Sequence, residues 1–398
     1  MLARVATARR RLPANVRALS WVSFANDFAS ELVYPVVPLF LTVTLGAPAT
    51  VLGVVEGIAE GTAVGLRGAA GWLSDRAGGA RKPWIAAGYG ISAVSRIALA
   101  VAWAWGIVLV GRVADRLGKA ARTAPRDALI RDSTPAELRG AAFGYHRAFD
   151  TAGAVAGPLL AVALLAAGVS LRTVLVVAVA PGFLTLVLLR SVREAAASAE
   201  SVPGMERAER LPPPFWGALI VWTIFSLGNS SDAFLILRAH DLGLSTTLVV
   251  LAYAGYNVIY SSLSWPLGAL SDRVPRTSIL AVGLVVFSCV YAGFALAPGK
   301  WAVWPLFAVY GAYIAATDGI ARAWVGDYAP AQAGGTAYGL FSAASGGALL
   351  VASVVAGVLW SHVDPSAPFW LGVGSATAGL IALLTFQRNK PADHTRVG

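Results

Sequence analysis

The sequence predicts an all-α membrane protein: twelve transmembrane helices arranged as two pseudo-symmetric six-helix bundles. Charged residues make up 13% of the 398-residue chain and hydrophobic residues 57%, whereas soluble domains carry roughly 25% charged residues. Mean hydropathy is +0.66. Apolar runs long enough to cross about 30 Å of hydrocarbon recur from end to end. Segments of the first half also return in the second. GWLSDR at 71–76 comes back as GALSDR at 268–273, and RDSTPAELRGAAFG at 131–144 as GDYAPAQAGGTAYG at 326–339. Such self-similarity marks a duplicated unit.

The spans fall near 17–43, 50–73, 83–105, 106–130, 140–166, 171–190, 215–238, 246–270, 278–297, 302–326, 335–360 and 367–387. Transmembrane strands would give alternating stretches of about ten residues, and these runs are longer and unbroken. The first run follows a basic start, MLARVATARRRLPANVR. It is too long for a signal-peptide core and lacks a small-residue cleavage pattern, so it is expected to be retained. Residues 1–190 then form the first bundle, and 215–398 the second with a short tail. Between them, 191–214 reads as a charged, proline-bearing linker.

Lys and Arg outside the spans collect on one side, at Arg9, Arg10, Arg11, Arg81, Lys82, Arg131, Arg190, Arg193, Arg273 and Arg388 among others. Only Arg172, Arg238 and Lys300 fall toward the other side. This asymmetry predicts both termini in the cytoplasm of a cell membrane. The net charge of +10 then reflects topology and not nucleic-acid binding. A lone cysteine, Cys289, excludes an intrachain disulfide, and four histidines, with His146 the one inside a span, make no metal cluster. No cofactor is expected.

Ionisable groups inside spans mark function. GRVADRLGKAARTAPRD at 111–127 sets Arg112, Arg116, Lys119, Arg122 and Arg126 on one helical face. If the spans are centred on the midplane, Asp27, Glu31, Glu60, Arg96, Arg116, Lys119, Arg147 and Asp150 lie at similar depth and are expected to form one network. The spans of this half hold seven acids (Asp27, Glu31, Glu56, Glu60, Asp115, Asp127, Asp150) and eight bases (Arg67, Arg96, Arg112, Arg116, Lys119, Arg122, Arg126, Arg147). One excess positive charge suits an anion, since an unpaired guanidinium in a cavity recruits one. Asp27 and Glu31 stand four residues apart, followed by Tyr34, and Glu56 and Glu60 repeat the spacing. Two acids so close do not both ionise cheaply, which makes Glu31, then Asp27, Glu60, Glu56 and Asp150, the candidates for proton coupling.

The second half carries fewer span charges, chiefly Asp232, Arg238, Asp318 and Arg322. Tyr253, Tyr256, Asn257 and Tyr260 form a polar-aromatic stripe, with Tyr313 on a later span. With Asn229 and Asp232 they are candidates for substrate contacts; interhelical packing explains the tyrosines equally well.

The loop GWLSDRAGGARK resembles the G-x-L-x-D-R-x-G-R-[KR] signature of the major facilitator superfamily, with one extra residue before Arg81 and Lys82. Gly71, Asp75, Arg76 and Gly78 occupy its key positions, and Gly268, Asp272 and Arg273 repeat it. GAVAGPLLA at 153–161 is similar to the G-x-x-x-G-P-x-x-G pattern of that family's drug/proton antiporters, with Ala161 in place of a glycine. The resemblance implies a secondary transporter of a small solute, with proton-coupled export as the leading direction and proton-coupled uptake as the alternative; the basic face of the fourth span favours an organic solute that is anionic or zwitterionic. It implies a monomer in the bilayer, and gating at the signature loops, at Arg126, and at Gly157 and Pro158. Arg116 stands where the antiporters carry a glycine, so no substrate is carried over. On physical grounds Asp75 is placed to accept from the start of the third helix, while Arg76, Arg81 and Lys82 bridge helix ends. The lesser alternative is that these residues serve only as topology-determining charges. An intramembrane enzyme is disfavoured: Asp318-Gly319-Ile320-Ala321-Arg322 is one residue short of the D-G-x-x-A-R opening of CDP-alcohol phosphotransferases, and no Asp or Glu follows between Asp327 and Asp364.

Overall fold

The computed structural model describes residues 12–76, 80–135, 138–194, 211–271, 273–329 and 334–388. Helix α1 (Ala14–Val33) continues as Val36–Leu39 and a π turn at Phe40–Thr44. There follow α2 (Ala49–Arg76), α3 (Lys82–Ala100), α4 (Trp105–Asp132), α5 (Arg139–Ala166) and α6, which comprises Leu171–Val177 and Val179–Leu189. In the second half α7 comprises Pro213–Ser226 and Ala233–Asp241. It is followed by α8 (Thr246–Ser271), α9 (Arg276–Leu296), α10 (Val303–Gly326), α11 (Gly334–His362) and α12 (Ala367–Arg388). Asp272 and 195–210 of the linker lie outside the described residues, as do the side chains of Gly71, Asp75 and Arg76.

Among the described residues, six helices are apolar enough to cross a membrane by length and composition alone: α1, α5, α6, α9, α11 and α12. Helix α4 falls short because of its charges, and α2 carries Glu56 and Glu60. Such helices are stable in a bilayer only with their polar faces turned to other helices or to a hydrated cavity.

Three spans expected to be continuous are broken, each for a local reason. Helix α1 stops before Pro35, which has no N–H for the ladder and restricts Tyr34 before it. In α6 the chain slips at Ala178, because Pro181 lacks the N–H that would bond to the Val177 carbonyl. The run Leu227–Asp232 interrupts α7, where Gly228, Asn229, Ser230 and Ser231 are weak helix formers whose side chains compete for backbone groups. The third span ends at Ala100, short of the expected 105.

Helix α1 packs on α5, α3 on α4, and α2 on α4 within the first half; α8 packs on α10, and α9 on α10 and α12, within the second. The α1–α5 approach is close because Gly157 has no side chain: a Cβ there would sit 2.5 Å from the Phe28 carbonyl oxygen. Helix α5 runs unbroken through Pro158.

The two halves meet mainly through α2 against α11 and α5 against α8. Gly53, Gly57 and Gly61 form a small-residue row on α2 that faces Ser353 and Leu350 of α11, and Gly357 returns the favour against Ala49 and Thr50. The Thr50 amide donates to Ser361 Oγ at 3.1 Å and its hydroxyl to the Gly357 carbonyl at 3.2 Å. The molecule is therefore closed at the end that carries loops 45–48 and 363–366. A Cβ at Gly53 would fall inside the Ser353 carbonyl oxygen. Gly53→Val is expected to open that end, increasing thiol labelling of Ala356→Cys, at a position 1% exposed, in a Cys289→Ser background at least about tenfold; that corresponds to about 1.4 kcal/mol in the conformational equilibrium. Unchanged labelling would show that the glycine row does not hold the closed end.

The opposite end is tied to the start of the linker. Glu194 Oε1 accepts from the Arg81 amide at 2.8 Å and Oε2 from the Lys82 amide at 2.9 Å. The Lys82 ammonium donates to the Val192 carbonyl at 2.5 Å. Glu194 thus supplies a carboxylate at the start of α3; the expected one, Asp75, has its side chain outside the described residues. A charge at helix-start amides needs only to arrive in space, and the linker supplies it. Arg81 also approaches Asp132, Nε to Oδ2 at 3.8 Å, and Arg273 is exposed in the α8–α9 turn.

Candidate substrate and proton site between the halves

The basic face of α4 does not present a row of free cations. Arg112 makes a two-pronged bond to Glu56 of α2, Nε to Oε1 at 2.9 Å and Nη2 to Oε2 at 2.7 Å. Both side chains are almost fully enclosed, at 4% and 1% exposed. One turn on, Arg116 Nε lies 2.6 Å from Glu60 Oε1. The two i,i+4 repeats, Glu56/Glu60 and Arg112/Arg116, match register across the α2–α4 contact. Arg122 bonds Ser92 Oγ at 2.7 Å and lies over Tyr89, and Arg126 contacts Ser23 and Asp127.

The expected single network is therefore divided, because each long side chain finds the nearest opposite charge on its own neighbouring helix. Arg96 turns away from the space between the halves. Its Nη2 donates to the Asn26 side chain at 3.1 Å and to the Asn26 carbonyl at 3.3 Å, and Nη1 to the Ser92 carbonyl; α6 closes over it at Gly182. With Arg112 and Arg116 paired, the reason to expect an anion from free α4 guanidiniums no longer holds. Lys119 remains exposed and without an ion pair among the described residues.

Glu31 faces the other half. Tyr253 of α8 donates its hydroxyl to Glu31 Oε2 at 2.8 Å, and its ring lies 5.5 Å from that of Tyr34. The guanidinium carbons of Arg112 and Arg116 lie 5.2 and 5.8 Å from the centre of the Tyr34 ring. Asp27 accepts from Asn26 Nδ2 at 3.1 Å. Deeper on α5, His146 Nε2 is 3.6 Å from Asp150 Oδ1, and neither ring nitrogen has a hydrogen-bond partner among the described residues.

In the second half the break in α7 brings Asp232 into the middle of the bundle. Tyr256 donates to its Oδ2 at 2.7 Å and Tyr310 to its Oδ1 at 2.6 Å. Tyr260 donates to Asp318 Oδ2 at 3.2 Å. The Asn257 amide bonds the Tyr253 carbonyl one turn back, within its own helix. Tyr313 packs between Phe287 and Tyr310, ring centres 5.0 and 5.4 Å away.

Connected hollows lie between these groups. One of about 300 Å³ is lined by Tyr34, Glu60, Asn229, Asp232, Tyr313 and Asp318 among others. A second, about 280 Å³, shares Glu60, Trp222, Asn229 and Asp318 and adds Arg322 and Ser342. A third of about 320 Å³, toward the linker end, is bounded by Arg147, Tyr260 and Asp318. Of the expected substrate contacts, Tyr34, Asn229, Asp232, Tyr313, Arg147 and Tyr260 line these spaces, while Arg96, Arg112, Arg116, Lys119, Tyr256 and Asn257 do not. Sequence reasoning did not single out Tyr310, Trp222 or the serines of α11 as contacts. The G-x-x-x-G-x-x-x-G run at 53–61 was a readable sign of the α2–α11 seam.

Paired six-helix halves enclosing polar hollows define a membrane transport protein. The chain belongs to the Major Facilitator Superfamily, whose profile matches residues 19–316 and 233–398, and its function is secondary transport of a solute. It is 34% identical over 383 residues to an uncharacterised MFS-type transporter of Methanocaldococcus jannaschii, covering 94% of this chain and 95% of that one. An uncharacterised protein of Mycobacterium tuberculosis is 29% identical over 356 residues, 86% of this chain and 84% of the other. Among solved structures, the nucleoside transporter NupG superposes with a TM-score of 0.75 at 14% identity, covering 94% of this chain and 99% of that chain. A bacterial homologue of the human lysosomal transporter Spinster, inward-facing and occupied, gives 0.73 at 18% identity over 94% and 95%. At these identities the superpositions speak for the fold alone.

Proposed function

We propose that this protein exports a small zwitterionic or anionic organic solute in exchange for protons, with 1–190 and 215–398 as the rocking units. The observation that carries the reading is the 2.8 Å hydrogen bond from Tyr253 to the Glu31 carboxylate, which joins α8 of one half to α1 of the other. A proton taken up by Glu31 removes the charge that strengthens this bond, so proton binding and separation of the halves become one event. Asp27, Asp150 and Lys119 surround the same region of the first half and adjust its charge. Hollows bearing Arg147 and Arg322 on one hand and Asp232 and Asp318 on the other suit a solute with both signs of charge. Export follows from the helix α5 resemblance. With both termini cytoplasmic, the closed end faces outward and the hollows load from the cytoplasm.

The test is purified protein in liposomes with an imposed pH gradient and a pH-sensitive dye inside. Zwitterionic and anionic solutes are expected to move protons opposite to themselves. Co-directional movement would make the protein a symporter, and solute flux indifferent to the gradient would remove proton coupling altogether.

A further inference from the structure

We infer that the hollow around Asp232 and Asp318 is an ammonium-binding subsite, so that the solute carries a protonated amine. The inference rests on the transport reading above and narrows it. The lining of this hollow of about 300 Å³ contains three carboxylates, Glu60, Asp232 and Asp318, and no Lys, Arg or His. Glu60 is neutralised by Arg116. Asp232 and Asp318 make no ion pair among the described residues; their contacts are tyrosine hydroxyls, from Tyr256 and Tyr310 to the one and from Tyr260 to the other. A hydrogen bond from a phenol orients a carboxylate without cancelling its charge, and each oxygen keeps acceptor capacity. Asp232 is partly enclosed and Asp318 open to the hollow, so the cost of unpaired charge falls mainly on Asp232, and a cation that enters is attracted to both.

The walls favour an organic ammonium over a bare metal ion. Tyr34, Trp222, Tyr310 and Tyr313 surround the space, and aromatic faces attract alkylammonium groups strongly once water is excluded. A small hard cation would want a shell of oxygen ligands instead. The adjoining hollow carries Arg322, one helical turn from Asp318 on α10. Four residues rise about 6 Å, so a polar or anionic group about that far from the amine reaches the guanidinium.

The experiment is calorimetric titration of the purified full-length protein with phenethylamine, 2-phenylethanol and phenylacetate, which share a ring and differ in charge. The amine is expected to bind at least about tenfold more tightly than either of the others. Asp318→Asn, at an exposed position with one tyrosine contact, is expected to weaken the amine about tenfold and leave the alcohol unchanged. Asp232→Asn should do the same, provided that it elutes as folded protein; Asp318→Asn carries the test if it does not. Amine binding that survives Asp318→Asn undiminished, or tighter binding of phenylacetate than of the amine, overturns the subsite. Selective amine binding without amine-driven proton movement in liposomes would leave the subsite standing and overturn the coupling.

Discussion

Glu56→Ala is expected to destabilise the protein by about 3–5 kcal/mol, because it leaves the Arg112 guanidinium enclosed without its counter-charge. The two groups share paired bonds at 2.9 and 2.7 Å with almost no exposure. Their attraction offsets a desolvation cost that remains when one partner goes. Replacing both, as Glu56→Leu with Arg112→Met, is expected to recover most of the loss, since the double variant has no uncompensated charge to bury. The readout is unfolding in mixed micelles for both single variants and the double. A single-variant cost below about 1 kcal/mol, or a double variant whose loss equals the sum of the singles, would mean that the pair is not the α2–α4 fastener described above. Arg112→Lys should recover little, because an ammonium offers no planar fork to the carboxylate.

Loss of pH-gradient-driven transport by about a hundredfold is expected for Glu31→Gln, with solute exchange at equal pH retained. A hundredfold loss corresponds to about 2.7 kcal/mol of coupling. Glutamine keeps an acceptor for Tyr253 but has no proton to give up, so the α1–α8 contact no longer responds to pH. In the native chain, lower pH is then expected to neutralise the carboxylate and weaken the bond from Tyr253, so that the halves part more readily. Tyr253→Phe removes the donor and is expected to shift the same equilibrium by about 0.5–1.5 kcal/mol while leaving Glu31 able to take a proton. The measurement is proton flux in liposomes beside exchange of labelled solute. Full gradient-driven transport by Glu31→Gln would transfer the proton site to another acid, with Asp27 and Asp150 next.

The element plan was open to reading because hydrophobic run length and the repeat are local properties of the chain. Span ends near 49–76, 246–271 and 367–388 follow from where apolar residues give way to charge. The breaks at Pro35 and Leu227–Asp232 were less legible. A run of apolar residues masks a missing N–H or a cluster of weak helix formers, and the consequence depends on what packs alongside.

Residue chemistry likewise told which side chains matter, and packing told which of them meet. That Glu31, Glu56, Glu60, Arg112 and Arg116 would lie inside the bilayer-spanning bundle came from their positions in apolar runs. Whether a carboxylate there is half of an ion pair or stands across from a tyrosine depends on the register of α2 against α4 and of α1 against α8, set by contacts far apart in sequence. Glu56 and Glu31 look alike in the chain. Tertiary structure gives Arg112 to the first and Tyr253 to the second, and turns Asp232 and Asp318 toward a hollow with aromatic walls. Helix formation is governed by neighbours within a turn or two, while charge pairing is governed by whichever helix lies opposite, and that is a property of the assembled bundle.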